Sequence, residues 1–191
     1  GLCEYPIIAV QARYLRTRQG RFDPTILDAA ERCGDTQVIV NLAGQTKQIV
    51  GTQGGLDLDR FRKRIAFYKG KIDPYVERGL ILAHATIDEP HDCHDWVTAD
   101  GQGTCPPADQ VDQASAISKE YWPNLPTIVN TIGSYIRRQG YTWVHTDIIN
   151  FQFAYHKYRG NPQAFVDDAM AQRRQGKFKR VAWSVQANSG G

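Results

Sequence analysis

The stretch Leu80-Ile81-Leu82-Ala83-His84-Ala85-Thr86 runs directly into Ile87-Asp88-Glu89-Pro90-His91. Its apolar first half predicts a short buried strand, and the proline ends ladder pairing just after the two acids. Asp88 and Glu89 are therefore expected at the C-terminal end of a strand. In a parallel α/β protein that edge is where ligands bind. The stretch favours a parallel sheet with a polar site at one rim.

The same pattern of a short strand followed by a helix repeats along the chain. Asp23-Pro24, Asp73-Pro74 and Asn161-Pro162 each mark a helix start, because an N-cap residue precedes a proline. The spacing of apolar residues predicts six strands, at residues 6–10, 38–42, 80–86, 127–129, 143–149 and 181–185.

Alternating strands and helices predict right-handed βαβ units and a parallel sheet. The 191 residues suit one domain, 1–191. A closed eight-unit barrel usually needs about 250 residues. We therefore predict an α/β fold of the TIM-barrel type that is incomplete or truncated. A doubly wound open sheet is the alternative, although no glycine fingerprint follows the first strand.

Composition excludes several functions. A net charge of +3 is too small to indicate nucleic-acid binding. No apolar run approaches the roughly 20 residues of a membrane span. The arginines at 13, 16, 18 and 21 form a cluster, which we interpret as a solvated loop rather than a phosphate-binding patch. We expect no nucleic acid, membrane, metal or cofactor as a partner.

The four cysteines allow two disulfides in three pairings. Cys3 precedes the first strand, and Cys33 ends the helix that returns the chain to the same face. Cys93 and Cys105 both belong to the loop above the third strand. The topology therefore favours Cys3–Cys33 and Cys93–Cys105, and with them an oxidising, extracellular compartment.

Carboxylates at strand ends point to glycoside cleavage, which needs two carboxyl groups on either side of the bond. Glu89 is the candidate acid, because apolar residues behind it would raise its pKa. Asp147, placed at the end of the fifth strand, is the candidate nucleophile or base. Asp88 completes the predicted catalytic set, facing away from Glu89. The alternative is that Asp88 and Glu89 cap a helix or pair with basic side chains.

Polar and aromatic side chains could bind sugar. Asn41 and Gln152 could donate to hydroxyl groups, although a buried amide satisfying loop backbone is an equal alternative for Asn41. Trp96 could stack on a sugar ring, whereas Trp183 fits the core better. His91, His94 and Asp95 suggest a zinc site as a weaker alternative. His84 is expected to be a hydrogen-bonded core histidine.

Several segments together resemble a family of uncharacterised secreted barrel proteins that are distantly related to glycoside hydrolases. The matching pieces are 40–44, 82–90 and 122–129, Asp147 with Gln152, and Gly190-Gly191. The resemblance implies a (β/α) barrel with a carbohydrate-directed cleft, in a secreted protein. The chain departs from the family pattern at Asn130, Asn150 and Gln186, in place of arginine, tryptophan and asparagine. We include Gln186 among the predicted substrate-binding residues.

Two hypotheses from different classes follow. The first is a hydrolase acting on a polysaccharide through Glu89 and Asp147. The second is a non-catalytic extracellular protein that binds carbohydrate or self-associates, because an incomplete barrel exposes unpaired strand edges. A metal-dependent hydrolase is a third, weaker hypothesis.

Overall fold

The computed structural model describes residues 1–98, 100–153 and 161–185. Its strands are β1 (Ile7–Gln11), β2 (Gln37–Asn41), β3 (Ile81–Asp88), β4 (Thr127–Thr131), β5 (Ile148–Phe153) and β6 (Arg180–Val185). Its helices are α1 (Thr25–Arg32), α2 (Leu58–Ala66), α3 (Asp73–Glu77), α4 (Ala108–Tyr121), α5 (Gly133–Gln139) and α6 (Pro162–Arg174).

The six strands form one sheet in the order β1-β2-β3-β4-β5-β6, and every neighbouring pair is parallel. Helices connect the strands, and the sheet curls into a half-barrel. The predicted incomplete barrel of α/β type is confirmed. Within the described ranges, β1 and β6 each pair on one side only.

The convex face of the sheet carries the hydrophobic core. Val40, Val129 and Ile149 are fully buried there, against helix residues such as Phe61 and Val111. Strand residues alternate between faces, so their sequence neighbours point to the concave face. That face is where the polar site is formed.

The fifth strand begins about five residues later than predicted. Val144 and Thr146 are β-branched, as strand residues often are, but the backbone N–H groups of residues 144–146 bond to a side chain instead of a neighbouring strand. The buried carboxylate of Asp112 on α4 accepts from the N–H groups of Val144 at 2.9 Å, His145 at 3.1 Å and Thr146 at 2.7 Å. Strand pairing therefore begins only at Ile148.

Both predicted disulfides are present. Cys3 and Cys33 are joined with a Cα–Cα distance of 5.1 Å, and Cys93 and Cys105 with one of 4.4 Å. Each bond links two segments at the same end of the sheet, as the topology predicted. Among the described helices, none combines the length and apolar character needed to cross a membrane.

Candidate functional site

A row of polar side chains crosses the concave face near the C-terminal ends of the strands. Asp88, Asn130 and Asn150 are register partners on β3, β4 and β5. Ser184 on β6 lies two residues beyond Ala182, the register partner of Asn150. Four neighbouring strands therefore contribute one polar group each to the row.

A β-bulge places Asp88 in this row. The register of β3 with β4 shifts between Ala85 and Ile87, which leaves Thr86 as an extra residue. The hydroxyl of Thr86 bonds to the Ile128 carbonyl at 3.2 Å and lies 3.1 Å from Ser115 Oγ on α4. Regular alternation after Ala85 would have put Ile87 and Glu89 on the concave face. The extra residue places Asp88 there instead.

Hydrogen bonds connect the row into a chain. Asn150 Nδ2 donates to Asn130 Oδ1 at 2.9 Å and to Ser184 Oγ at 3.1 Å. Asn130 Nδ2 donates to Asp88 Oδ1 at 3.0 Å. The two amides are thus held in fixed orientations, and Asn130 donates directly to the carboxylate of Asp88.

The pKa of Asp88 is raised. Burial is the largest cause, the nearby carboxylate of Asp95 adds to the rise, and the hydrogen bond from Asn130 opposes it. A carboxyl group of this kind can hold a proton at a higher pH than an exposed one. This property belongs to a candidate acid in a cleft.

Two adjoining cavities open at this rim. The first, of about 530 Å³, lies on the concave face and is lined by residues of all six strands, including Asp88, Asn130, Asn150 and Ser184. The second, of about 520 Å³, lies among the loops and is lined by Lys47, Asp95 and others. Gln11, Asn41 and Asp88 line both, so the cavities form one continuous cleft.

Asn41 lies in this cleft, as predicted. Its Oδ1 accepts from the backbone N–H of Gly44 at 3.0 Å, so the side chain also fixes the loop after β2. Both interpretations of this amide are therefore compatible with its position. A role in binding sugar stays a prediction.

The expected orientation of Glu89 is wrong. Glu89 lines neither cavity of the cleft, whereas Asp88 lines both. Its φ of 47° turns the chain out of the strand, and its carbonyl accepts from Asp92 N at 3.0 Å and Trp96 Nε1 at 3.2 Å. The bulge is the physical reason, because it reverses which of the two acids faces inward.

The proposed pair of Glu89 and Asp147 is also wrong. Asp147 directly precedes β5 and therefore lies at the N-terminal end of the sheet. It is three residues before Asn150, about 10 Å along the strand at the usual rise, and on the opposite face of the pleat. The two carboxylates cannot act on one bond.

Asp147 instead holds structural contacts at that end. Its Oδ2 accepts from Lys119 Nζ at 2.6 Å and from the N–H of Thr127 at 3.0 Å, and Lys179 Nζ lies 3.7 Å from Oδ1. Burial alone would raise the pKa of Asp147. The bond from Lys119, the backbone donor and the two ammonium charges outweigh it and hold the pKa below its usual value.

Of the other predicted binding residues, Trp96 is wrongly assigned. Its side chain is 0% exposed, and its indole N–H holds the Glu89 carbonyl, so it packs the loop instead of stacking on a ligand. Gln152 is half-buried two residues beyond Asn150, on the same face of β5. Its role stays a prediction. Gln186 lies outside the described residues.

The alternative zinc site finds no support, because among the described residues neither His91 nor His94 belongs to a group of three possible metal ligands. Cys93 is in a disulfide, and His84 points into the core, where its Nδ1 is 2.7 Å from Ser118 Oγ. The position of His84 as a core histidine is confirmed. Glu89, Asp92 and Asp95 each offer a carboxylate oxygen within 4.8 Å of the others. Exposed acidic groups commonly cluster in this way, so we assign no metal to them.

Several cleft residues were not among the predicted site residues, namely Gln11, Asn130, Asn150 and Ser184. A signal was available for the two asparagines. Asn130 is the single amide of β4, and Asn150 follows two isoleucines in β5. A polar residue among apolar ones is costly to bury without a partner. Trp183 was expected in the core, but it is 46% exposed. It pairs with the buried Phe151 and alternates with Ala182 and Ser184, so its side chain faces the convex side of the sheet.

No family model matches the chain, and no curated protein matches it. Among solved structures, the chain is similar to a protein described as a novel GH10 endoxylanase retrieved from a sugarcane soil metagenome. The two share 12% sequence identity with a TM-score of 0.47, over 96% of this chain and 69% of the other. At this level the likeness says nothing about which residues act or on what.

Proposed function

We propose that the chain binds a polysaccharide in the cleft on the concave face of the half-barrel. One observation carries the proposal, which is the hydrogen-bonded chain from Ser184 through Asn150 and Asn130 to Asp88, lining a cavity of about 530 Å³. The cavity is of the size that small-molecule and sugar sites commonly have.

The chemistry of the row suits sugar hydroxyls. A hydroxyl group both donates and accepts, and amides offer both functions side by side. Because the amides of Asn130 and Asn150 are already fixed by their neighbours, little side-chain entropy is lost when a ligand binds. A rigid row of this kind favours binding of a neutral polar ligand.

Apolar side chains supply the complementary surface. Ile7 on β1 and Ile39 on β2 line the same cavity, and Ile7 is 50% exposed. The C–H groups of a sugar ring can pack on these side chains, while its hydroxyls reach the amide row. This combination supports a saccharide rather than a small ion as the occupant.

The test is a calorimetric titration with neutral oligosaccharides of several linkages. We expect Asn150→Ala and Asn130→Ala to weaken binding about tenfold each, the loss of one or two good contacts. Asn124→Ala is the matched control, because Asn124 is an exposed asparagine at the opposite end of β4. Unchanged affinity in both cleft variants, or no binding by the wild-type chain, would reject the proposal.

A second candidate function is hydrolysis with Asp88 as the proton donor. The specific observation is the raised pKa of Asp88 together with Asp95, whose carboxylate lines the adjoining part of the cleft. Glycoside cleavage needs two such carboxyl groups. Asp88→Asn would then abolish release of reducing ends while oligosaccharide binding persists. Turnover retained by Asp88→Asn would reject this candidate.

We also propose that the chain works in an oxidising, extracellular compartment, because two disulfides persist only where thiols are not kept reduced. Thiol labelling of the protein taken directly from its source, under denaturing conditions without reductant, tests this. Four reactive thiols would contradict it.

A further inference from the structure

A small cavity of about 250 Å³ lies beside the cleft, between the loops that follow β1 and β2. Three guanidinium groups line it, those of Arg13, Arg16 and Arg64. The remaining lining residues are neutral, with no carboxylate among them. All charged residues that line the cavity are therefore cationic.

Neutral acceptors hold two of these guanidinium groups in place. Arg16 Nε donates to the Tyr68 hydroxyl at 3.1 Å, and its guanidinium lies 3.8 Å from the centre of the Phe67 ring. Arg64 Nε donates to the Ala43 carbonyl, and its Nη2 donates to Gln48 Oε1 at 2.6 Å. Within the described ranges, none of the three arginines forms a salt bridge.

The arrangement has an electrostatic cost that an anion would relieve. Burial, and then the like charge of Arg16, lower the pKa of Arg64. Two partly buried cations close together are unfavourable unless a negative group lies between them. Arginine is also the residue that best matches planar or tetrahedral oxyanions through paired N–H groups.

The loop is shaped around Arg64. Gly44 has a φ of +85°, and a Cβ atom there would lie 2.2 Å from Gln48 Oε1 and 2.8 Å from Arg64 Nη2. Only glycine allows this approach without movement of both side chains. The backbone therefore leaves the guanidinium room at the wall of the cavity.

The cavity is continuous with the proposed saccharide cleft. Gln11, Arg13, Gly44 and Gln45 line both the small cavity and the loop portion of the cleft. That portion also carries Lys47, an exposed cation. A polymer lying along the amide row would have its next residues at this basic cavity.

We infer that the cavity lined by Arg13, Arg16 and Arg64 binds an anionic substituent, a sulfate ester or a carboxylate, of the polysaccharide held in the cleft. The inference rests on the proposed function for the polymer, whereas the oxyanion site itself stands on the arginines alone. It also revises the interpretation of Arg13 and Arg16 as part of a solvated loop.

The experiment has two arms. In the first, inorganic sulfate is titrated into the protein while the Nε–H resonances of its arginines are followed by NMR. In the second, neutral, uronate-containing and sulfated oligosaccharides of equal length are titrated by calorimetry at low salt. The variants are Arg13→Gln, which removes an exposed side chain, and Arg64→Gln. Arg18→Gln is the matched control, because Arg18 is exposed on the same loop but does not line the cavity.

We expect sulfate to shift the Nε–H signals of Arg16 and Arg64 in a saturable way. We expect at least one anionic oligosaccharide to bind about tenfold tighter than its neutral counterpart, and the advantage to fall about tenfold in Arg13→Gln and Arg64→Gln but not in Arg18→Gln. Whether sulfated or uronate oligomers gain more identifies the substituent.

Absence of saturable sulfate shifts overturns the oxyanion site. Equal affinity for neutral and anionic oligomers overturns the link to the polysaccharide, even though neutral binding would uphold the cleft. If sulfate binds but no oligosaccharide does, the proposed function fails and the inferred ligand fails with it. The inference is also overturned if anionic oligosaccharides still bind more tightly than neutral ones in Arg13→Gln and Arg64→Gln.

Discussion

Asn130 on β4 donates from Nδ2 to Oδ1 of Asp88, its register partner on β3, at 3.0 Å. The contact exists because a bulge in β3 places Asp88, and not Glu89, on the concave face. This hydrogen bond connects the carboxylate of Asp88 to the amides of Asn130 and Asn150. The predictions that follow separate this site from the structural features around it.

Asp88→Asn should stabilise the protein at neutral pH by up to about 1 kcal/mol, because it removes a charge whose burial is unfavourable. The folded pKa of Asp88 is raised, so the contribution of this group falls as pH rises through the window between its unfolded and folded values. Urea unfolding at several pH values measures this. The gain should disappear in acid, and a variant less stable than wild type at neutral pH would contradict the prediction.

Asp147→Asn should lower the free energy of unfolding at neutral pH by about 1–3 kcal/mol, because Lys119 loses its ionic partner. Oligosaccharide affinity should not change, since Asp147 lies at the other end of the sheet. The folded pKa of Asp147 is lowered, so its stabilisation is present above its unfolded pKa and is lost as pH falls through the folded value. Wild type and variant should therefore converge in acid. A loss of ligand binding without loss of stability would contradict the structural role.

His84 should make the protein less stable as pH falls below about 6.5, the pKa of a histidine in an unfolded chain. Its imidazole is completely buried, and burial lowers its pKa to about 3. Between these values the unfolded state binds the extra proton, so stability falls with pH by up to about 1.4 kcal/mol per unit. His84→Asn can keep the bond to Ser118 without titrating, and its unfolding should lack this part of the slope. Identical slopes in the two proteins would contradict the prediction.

The Cys93–Cys105 bond closes a loop of 12 residues that carries part of the cleft, including Asp95 and Val97. The double variant Cys93→Ser/Cys105→Ser should lose about 3 kcal/mol of unfolding free energy in the loop-entropy model. It should also bind oligosaccharides more weakly. The control is Cys3→Ser/Cys33→Ser, which should lose stability with unchanged affinity, because that bond lies at the far end of the sheet. Equal effects of the two double variants on binding would contradict the assignment of the loop to the cleft.

Self-association through the open sheet edges stays a proposal. The outer sides of β1 and β6 have no strand partner among the described residues, and Ile7 on β1 is 50% exposed. We expect a second copy to pair there, so light scattering after size exclusion should show mass increasing with concentration. Ile7→Lys should suppress the increase, whereas Val144→Lys, at an exposed apolar residue outside the strands, should not. A constant monomer mass would reject the proposal.

The local sequence pattern was sufficient to predict features that depend on a single strand or helix. The apolar run before Asp88 predicted β3, and the Pro162 helix start predicted α6. The cysteine pairings followed from the order of strands alone. Each of these depends on residues close in sequence or on the handedness rules of βαβ units.

The site was less predictable because contacts distant in sequence determine it. Residues 144–146 have the composition of a strand, but Asp112 from another element takes their N–H groups. This moved Asp147 from the predicted rim to the opposite one. A single extra residue, Thr86, exchanged the roles of Asp88 and Glu89.

The sequence by itself determined the βα order, the parallel sheet and the disulfides, because hydrophobic periodicity and chain connectivity are encoded locally. Only the tertiary structure decided which carboxylate and which amides face the cleft. The physical reason is that strand side chains alternate between faces, so one bulge reverses the face of every residue after it. A later strand start, in turn, moves a residue such as Asp147 from one end of the sheet to the other.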